Sequence, residues 1–446
     1  MTTAITDRAS SASAFNASSS ALEHTPDVPV DRDRHSTGRR LLERFALIAF
    51  ALYHVPLFLN NYPSLGGGGF EETGLAIRWG HVFTPAGVWV ARHVFHMTGP
   101  MPGAYQGDNG DVGEEWGRLL LSVVIAAIAS LVWTAADRRR PRARWVQGAT
   151  TTLLRYSIAL GIASYGIAKI VPMQFPPLSP IYLDQRLGDT SPMAVLWQFM
   201  ESSRPYAVFG GVMELVAVVL LCFRRTTTLG ALVCLAVMTT VAFLNYAYGV
   251  PVKLYSTMIV VSAGVLVLYD ARRLLTAFVA NRPVLAAPPT ALVQDRIPDR
   301  LRWTLKVALV GSVVVSSIVA MSAALRERPA PSDLDGRWVV SSFIRDGQSL
   351  DSSGTPTRWR RIVADGGRML IRLENDGLLR CNTTPAAAPG AIALSCVKGP
   401  QGELRWSRSG DTLTLVGTFE GSQVAARGRH IKDVLLTSGF RLIADR

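Results

Sequence analysis

The sequence predicts an α-helical, multi-pass membrane protein of about seven transmembrane helices, followed by a small all-β extracytoplasmic domain. Three observations predict it. The 446 residues are 49% hydrophobic and only 18% charged, with a mean hydropathy of +0.23, where a soluble chain carries about 25% charge. Seven apolar runs are long enough, or nearly so, to cross a hydrocarbon core of about 30 Å. Beyond Asp333 the long runs give way to short alternating ones broken by turn residues.

Residues 1–38 are rich in Ser, Ala and Thr and lack periodicity, which predicts a disordered tail and not a signal peptide. The spans are expected near Leu41–Leu59, Leu119–Ala136, Thr150–Val171, Pro205–Phe223, Thr228–Gly249, Val252–Tyr269 and Trp303–Met321. Glu43, Arg44, His54 and Pro56 interrupt the first, and the third carries Arg155 and Lys169. The spans fall into an N-terminal pair with a long loop (39–149), a four-helix core (150–275), and a linker with the seventh helix (276–325).

The net charge of +13 raises nucleic-acid binding as an idea. The basic residues flank the spans, however, and do not gather on one face. With the N-terminus inside, inner segments hold 18 Arg and outer loops five basic residues. This positive-inside asymmetry sets orientation. It predicts a cytoplasmic N-terminus, an extracytoplasmic C-terminal domain and a cell-membrane location, with the bilayer as partner and no nucleic acid.

Two long loops then lie outside, Asn60–Glu115 and Pro172–Arg204. The first contains an amphipathic piece near Pro85–Met97. The second contains a short interfacial helix near Ser191–Met200, anchored by Trp197.

The β domain (326–446) reads as strands at Arg337–Arg345, Arg368–Leu373, Ala391–Val397, Thr412–Phe419 and Gly439–Ile443. Asp346-Gly347 and Asp376-Gly377 mark hairpin turns, and the pattern suggests a small antiparallel barrel or sandwich. Cys381 and Cys396 both fall in this domain, where an oxidising compartment permits a disulfide; two buried thiols are the alternative. Cys222 and Cys234 read as small packing residues.

Charges inside spans are costly and mark cavities or partners. Lys169 ends the third span, and Glu214 lies roughly 14 Å into the fourth, at 1.5 Å per residue. Asn245 is in the outer part of the fifth, and Lys253 begins the sixth. The chain has five Lys against 41 Arg, so Lys at 169 and 253 stands out. An ammonium can lose its proton and a guanidinium cannot. The readings that stay open are a proton-linked or anion-binding site, a structural ion pair holding the bundle together, or lysines snorkelling to the interface. His93 and His96 share a helix face at a spacing metal ligands use, but no further ligand accompanies them. The Gly107–Asp111 run resembles a calcium-loop fragment without its remaining ligands. Nucleotide-binding and familiar hydrolase motifs are absent.

The third to sixth spans resemble the DoxX family of four-helix membrane proteins. The carrying segments are Arg155-Tyr156, Tyr165–Lys169, Pro172-Met173-Gln174-Phe175-Pro176, Ser191-Pro192-Met193, Phe209–Glu214, Arg224–Thr227, Asn245 and Val250–Leu254. Trp89, His93, Phe95 and the Gly-Asp turn resemble longer members of that group. The resemblance implies a subunit of a membrane redox system with a quinone near an outer-leaflet site and a membrane redox partner. In that reading Glu214 and Lys169 act chemically, and Lys253, Asn245, Gln174 and Tyr165 bind substrate. A proton-linked small-molecule transporter, and a non-catalytic binding or assembly protein, are the alternatives.

Gly336-Arg337-Trp338 is similar to the lipocalin Gly-x-Trp. It implies a barrel in which Trp338 packs beneath a basic residue such as Arg441. The barrel would then hold a small apolar ligand or be filled by its own side chains.

Overall fold

The computed structural model describes residues 37–61, 74–98, 111–137, 144–284, 298–328 and 332–433, apart from 352–353, 387–389 and 398, together with 435. Most of the expected tail lies outside these, as do Gly107–Gly110, the strand expected at Gly439–Ile443, and Arg441.

The chain folds as a helical domain followed by a β-barrel. The long helices are α1 (Thr37–Asn61), α2 (Gly74–His93), α3 (Gly113–Ala136) and α4 (Arg144–Ile170). A one-turn α5 (Pro180–Leu183) and a surface helix α6 (Pro192–Ser202) follow. The helical domain continues with α7 (Arg204–Cys222), α8 (Thr227–Ala247) and α9 (Lys253–Tyr269). The one-turn α10 (Ala271–Leu274) and α11 (Asp299–Arg326) complete it. Ser191 starts α6 as expected of an N-cap, its hydroxyl accepting from the Ala194 N–H at 3.2 Å, with Pro192 in the first turn.

All seven expected runs are helical. Among the described residues, four helical stretches are long and apolar enough to cross a membrane: Gly113–Ala136, Arg204–Cys222, Arg224–Ala247 and Trp303–Arg326. A fifth qualifies if α9 and Ala271–Val279, bent by 66°, count as one span. Their outward faces are apolar too: Phe209, Phe243, Leu268 and Val319 are exposed.

Helices α4, α7, α8 and α9 close a four-helix ring, each packed on the next and α9 back on α4. Its centre is a buried cluster including Leu154, Ile158, Ala217, Leu221, Ala231 and Ile259. Helices α1 and α11 lie against α4, and α3 pairs with α1 and α2. Two pairings that hydropathy does not reveal fasten these additions. Buried Arg44 bonds Asp137 at 2.6 Å and Thr134 at 3.1 Å, beneath the Trp133 ring. His54 on α1 bonds Ser262 on α9 at 2.9 Å.

The β domain comprises β1 (Gly336–Arg345), the short β2 (Gln348–Ser349), β3 (Trp359–Asp365), β4 (Arg368–Leu373), β5 (Leu378–Pro385), β6 (Ala391–Cys396), β7 (Gln401–Ser409), β8 (Thr412–Phe419) and β9 (Ser422–His430). Each strand from β3 to β9 pairs antiparallel with the next, and β1 pairs with both β3 and β9. The result is a closed, eight-stranded, up-and-down barrel with β2 as an appendage, which removes the exposed sheet edge. A bulge between Val340 and Ser342 shifts the alternation of β1, so that Trp338, Val340 and Phe343 all face inward.

The interior is filled by side chains: Trp338, Met369, Ile371, Leu404 and Leu415 are fully buried. The small apolar ligand expected of a lipocalin-like barrel would have to displace them. Trp338 Nε1 donates to the Leu334 carbonyl at 3.0 Å. The cation over its ring belongs to Arg408 of β7, at 5.2 Å from the centroid, with the His430 ring edge-on at 4.9 Å. Cys381 and Cys396 are register partners on β5 and β6 and form a disulfide. Cys222 and Cys234 are free and buried.

Candidate functional site

The barrel docks on the helical domain through the loop between α4 and α6. That loop presents Asp184, which is buried and held by Arg361 of β3 and by Arg372 of β4 at 3.3 Å. Arg337 of β1 donates to the Leu183 carbonyl at 3.1 Å. Nothing in the loop's composition singled out Asp184, and the signal lies only in its surroundings.

At this barrel-facing end of the four-helix ring lies a cavity of about 240 Å³. Its polar lining is Tyr165, Lys169, Gln174, Glu214, Asn245 and Tyr255, with Ser256 beside Asn245. The rest is apolar, including Ile162, Met193, Trp197, Met238 and Val250.

The centrepiece is an ion pair. Lys169 Nζ donates to Glu214 Oε1 at 2.8 Å and Oε2 at 3.0 Å. Lys169 is 6% exposed and Glu214 2%. Close approach of α4 and α7 makes the reach possible. A Cβ on Gly211 would sit 2.5 Å from the Gly166 carbonyl oxygen and 3.0 Å from Lys169 Cβ. The two glycines therefore let the backbones touch.

Guanidinium groups seal the ends of the two helices. Arg204 donates to the Lys169 carbonyl at 2.9 Å and to that of Ile170, satisfying the C-terminus of α4. Buried Arg155 on α4 does the same for α7, donating to the Leu221 carbonyl at 2.9 Å. The Arg155-Tyr156 segment is thus placed where it holds α4 against α7.

The rest of the wall comes from elements that bend back over the ring. After α4 the chain turns sharply, with the Gln174 N–H donating to the Ala168 carbonyl at 3.0 Å. This returns Gln174 to the cavity, where its Oε1 is buried without a partner among the described residues. Trp197 of α6 packs edge-on against Phe175, with centroids 5.5 Å apart. Asn245 of α8 donates to Ser256 Oγ at 3.0 Å. Between α8 and α9 the helix is interrupted: Gly249 adopts φ +67°, and Val250, Pro251 and Val252 line the cavity with irregular backbone.

The structure therefore gathers Glu214, Lys169, Asn245, Gln174 and Tyr165 about one cavity. It does not place Lys253 there. Lys253 Nζ pairs with Asp111 at 3.1 Å. The Asp111 carboxylate also accepts from the backbone N–H of Lys253 and Leu254 at 2.9 and 2.8 Å, capping α9 across 142 residues. The Gly-Asp run ends in a helix cap because a carboxylate at a helix N-terminus satisfies orphan N–H groups. His93 stacks on Trp89 and bonds its carbonyl at 2.8 Å. Tyr255 is the site residue that sequence reasoning missed. Its ring lies 5.9 Å from that of Tyr165, and its hydroxyl occupies the space a Cβ on Gly161 would need.

Over 124 residues, or 28% of its length, the chain is 30% identical to YwoB, an uncharacterized protein of Bacillus subtilis (strain 168), and the match takes in 79% of that protein. The chain belongs to the YwoB family. YwoB brings no activity with its name, so the site's chemistry is argued from its residues. No family model and no solved structure matches the chain.

Proposed function

We propose that the chain is a multi-pass cell-membrane protein, N-terminus cytoplasmic and barrel extracytoplasmic, whose cavity binds a quinone headgroup as part of a DoxX-like membrane redox system. The observation that carries this reading is the buried Lys169–Glu214 pair forming one wall of an otherwise apolar, aromatic cavity. Buried ion pairs contribute little net stability over apolar replacements, so their presence calls for a use. A drug-sized ligand needs about 300–1,000 Å³. The 240 Å³ here suits one substituted ring.

The exposed apolar belts support a bilayer around the helices. The disulfide supports an oxidising side for the barrel, in keeping with the Arg distribution. A bound quinone supplies two-electron, two-proton chemistry. The chain's part is to hold it and to manage protons. Lys169 donates a hydrogen bond to a ring oxygen, Glu214 is the adjoining proton acceptor, and Gln174 Oε1 accepts from a ring hydroxyl. Tyr165, Trp197 and Tyr255 pack the ring faces. Electrons come from a membrane redox partner.

The interrupted backbone at Gly249–Val252 favours a second reading, a proton-linked transporter, because broken helices mark transporter sites. Titrating the purified protein with a short-chain quinone separates the two. The redox reading expects saturable quenching of Trp197 fluorescence, lost in Trp197→Phe and in Lys169→Met. Unsaturable quenching, or quenching that survives Lys169→Met, overturns it.

A further inference from the structure

A second cavity, of about 530 Å³, opens between the loop segment Ile181–Asp189 and the outer face of β4 and β5. It shares no lining residue with the bundle cavity. Its floor follows from strand register. Arg368 lies opposite Asn382, Leu370 opposite Arg380, and Arg372 opposite Leu378. Their neighbours Met369, Ile371 and Cys381 are buried in the barrel core, so these six share the outward face. The disulfide from Cys381 to Cys396 fixes β5 directly behind Arg380.

The charges on this floor are not equally engaged. Arg372 is held by buried Asp184 at 3.3 Å. On the loop wall, Arg186 is paired with Asp376 at 2.7 Å, and Arg360 bonds the same carboxylate. These hydrogen bonds, that of Arg186 first, keep the Asp376 carboxyl ionised below its ordinary range. Arg368 reaches Asp365 only at 3.4 Å, and its own side chain stays exposed while half-buried Asp365 also accepts from the Ser179 hydroxyl. Arg380 and Asn382 make no side-chain bond among the described residues, and both are exposed. Of the lining carboxylates, only Asp189 lacks a side-chain partner, and it is on the opposite wall. An acidic group therefore meets two available guanidinium groups on the barrel side, with leucines between them.

We propose that this cleft is a binding site for a small organic anion. Its phosphate or carboxylate oxygens are held by Arg380 and Arg368, Asn382 donates an amide N–H, and Leu370 and Leu378 pack the apolar remainder. Guanidinium groups bind both kinds of oxyanion in bidentate fashion. The volume falls within the small-molecule range, and the junction of two domains is where such sites concentrate.

The test uses the full chain in detergent. The thermal midpoint is followed against inorganic phosphate, against citrate, and against phosphatidylglycerol in mixed micelles, each beside sodium chloride of matched ionic strength. The proposal expects a saturable rise beyond the chloride control. Apparent affinity should fall about tenfold or more in Arg380→Ala, the loss of charge-assisted hydrogen bonds. Arg380→Lys should retain part of it. The ligand-free midpoint should stay at the wild-type value, because the side chain is exposed. A rise with phosphate or citrate marks a soluble ligand, and a rise with phosphatidylglycerol alone marks a lipid headgroup. No rise in any arm, or a rise unchanged in Arg380→Ala, overturns the proposal.

Discussion

Removing one member of the Lys169–Glu214 pair and removing both should have opposite consequences for stability. Glu214→Leu leaves the Lys169 ammonium at 6% exposure, without the two bonds of 2.8 and 3.0 Å that now compensate it. Breaking one side of a buried pair costs about 3–5 kcal/mol. At roughly 2 °C per kcal/mol, the midpoint should fall by about 6–10 °C. The double variant Lys169→Met/Glu214→Leu removes both charges, keeps similar volume and leaves no orphan. It should unfold within about 1 kcal/mol of wild type, or above it. Short-chain quinone binding should be lost in both. Thermal unfolding in detergent with parallel fluorescence titration measures the two quantities on the same samples. A double variant as unstable as the single one would mean that the pair is there to hold the bundle together, and would refute the reasoning.

Other perturbations test the surroundings. Gly211→Ala puts a methyl 2.5 Å from a backbone oxygen. It should cost about 1–3 kcal/mol by overpacking and weaken quinone binding, which unchanged unfolding and titration curves would contradict. Asp184→Ala leaves Arg361 and Arg372 without their buried carboxylate. It should loosen the barrel from the loop and speed proteolysis within 176–191, while the isolated barrel signal in near-ultraviolet circular dichroism persists. Burial pushes the Glu201 carboxyl on α6 from its ordinary 4.5 up to about 7. Between those values the unfolded chain has lost this proton and the folded chain has not, so stability should fall as pH rises through the window. Glu201→Gln should flatten that part of the profile, and an unaltered slope would remove Glu201 as its cause.

The helical domain was legible because its signal is local. Long apolar runs stand out in any window, and against that background Lys169, Glu214 and Asn245 are conspicuous. Their convergence needs the long Lys169 stem, which reaches from the end of α4 to Glu214 in the middle of α7. The barrel was half legible. Strands β1, β4, β6 and β8 carry visible alternation, whereas β7, Gln401–Ser409, turns only Leu404 and half-buried Gly402 and Trp406 inward and is otherwise charged or polar. Closure of the sheet, not its own pattern, makes it a strand. Contacts across long sequence separations were illegible for the same reason. Asp111 on Lys253, Asp184 between two arginines and Arg408 over Trp338 are all single polar residues, whose partners are set by topology. The expectation that Lys253 joins Glu214 failed on this point: a nearer carboxylate at the start of α9 takes its charge.

The most direct test is to extract lipids from the protein purified in mild detergent and identify bound quinone by mass spectrometry, in wild type and in Lys169→Met/Glu214→Leu. The account predicts quinone near one per chain in the wild type and little in the double variant. Its absence from the wild type, or equal amounts in both, would contradict the assignment of the bundle cavity.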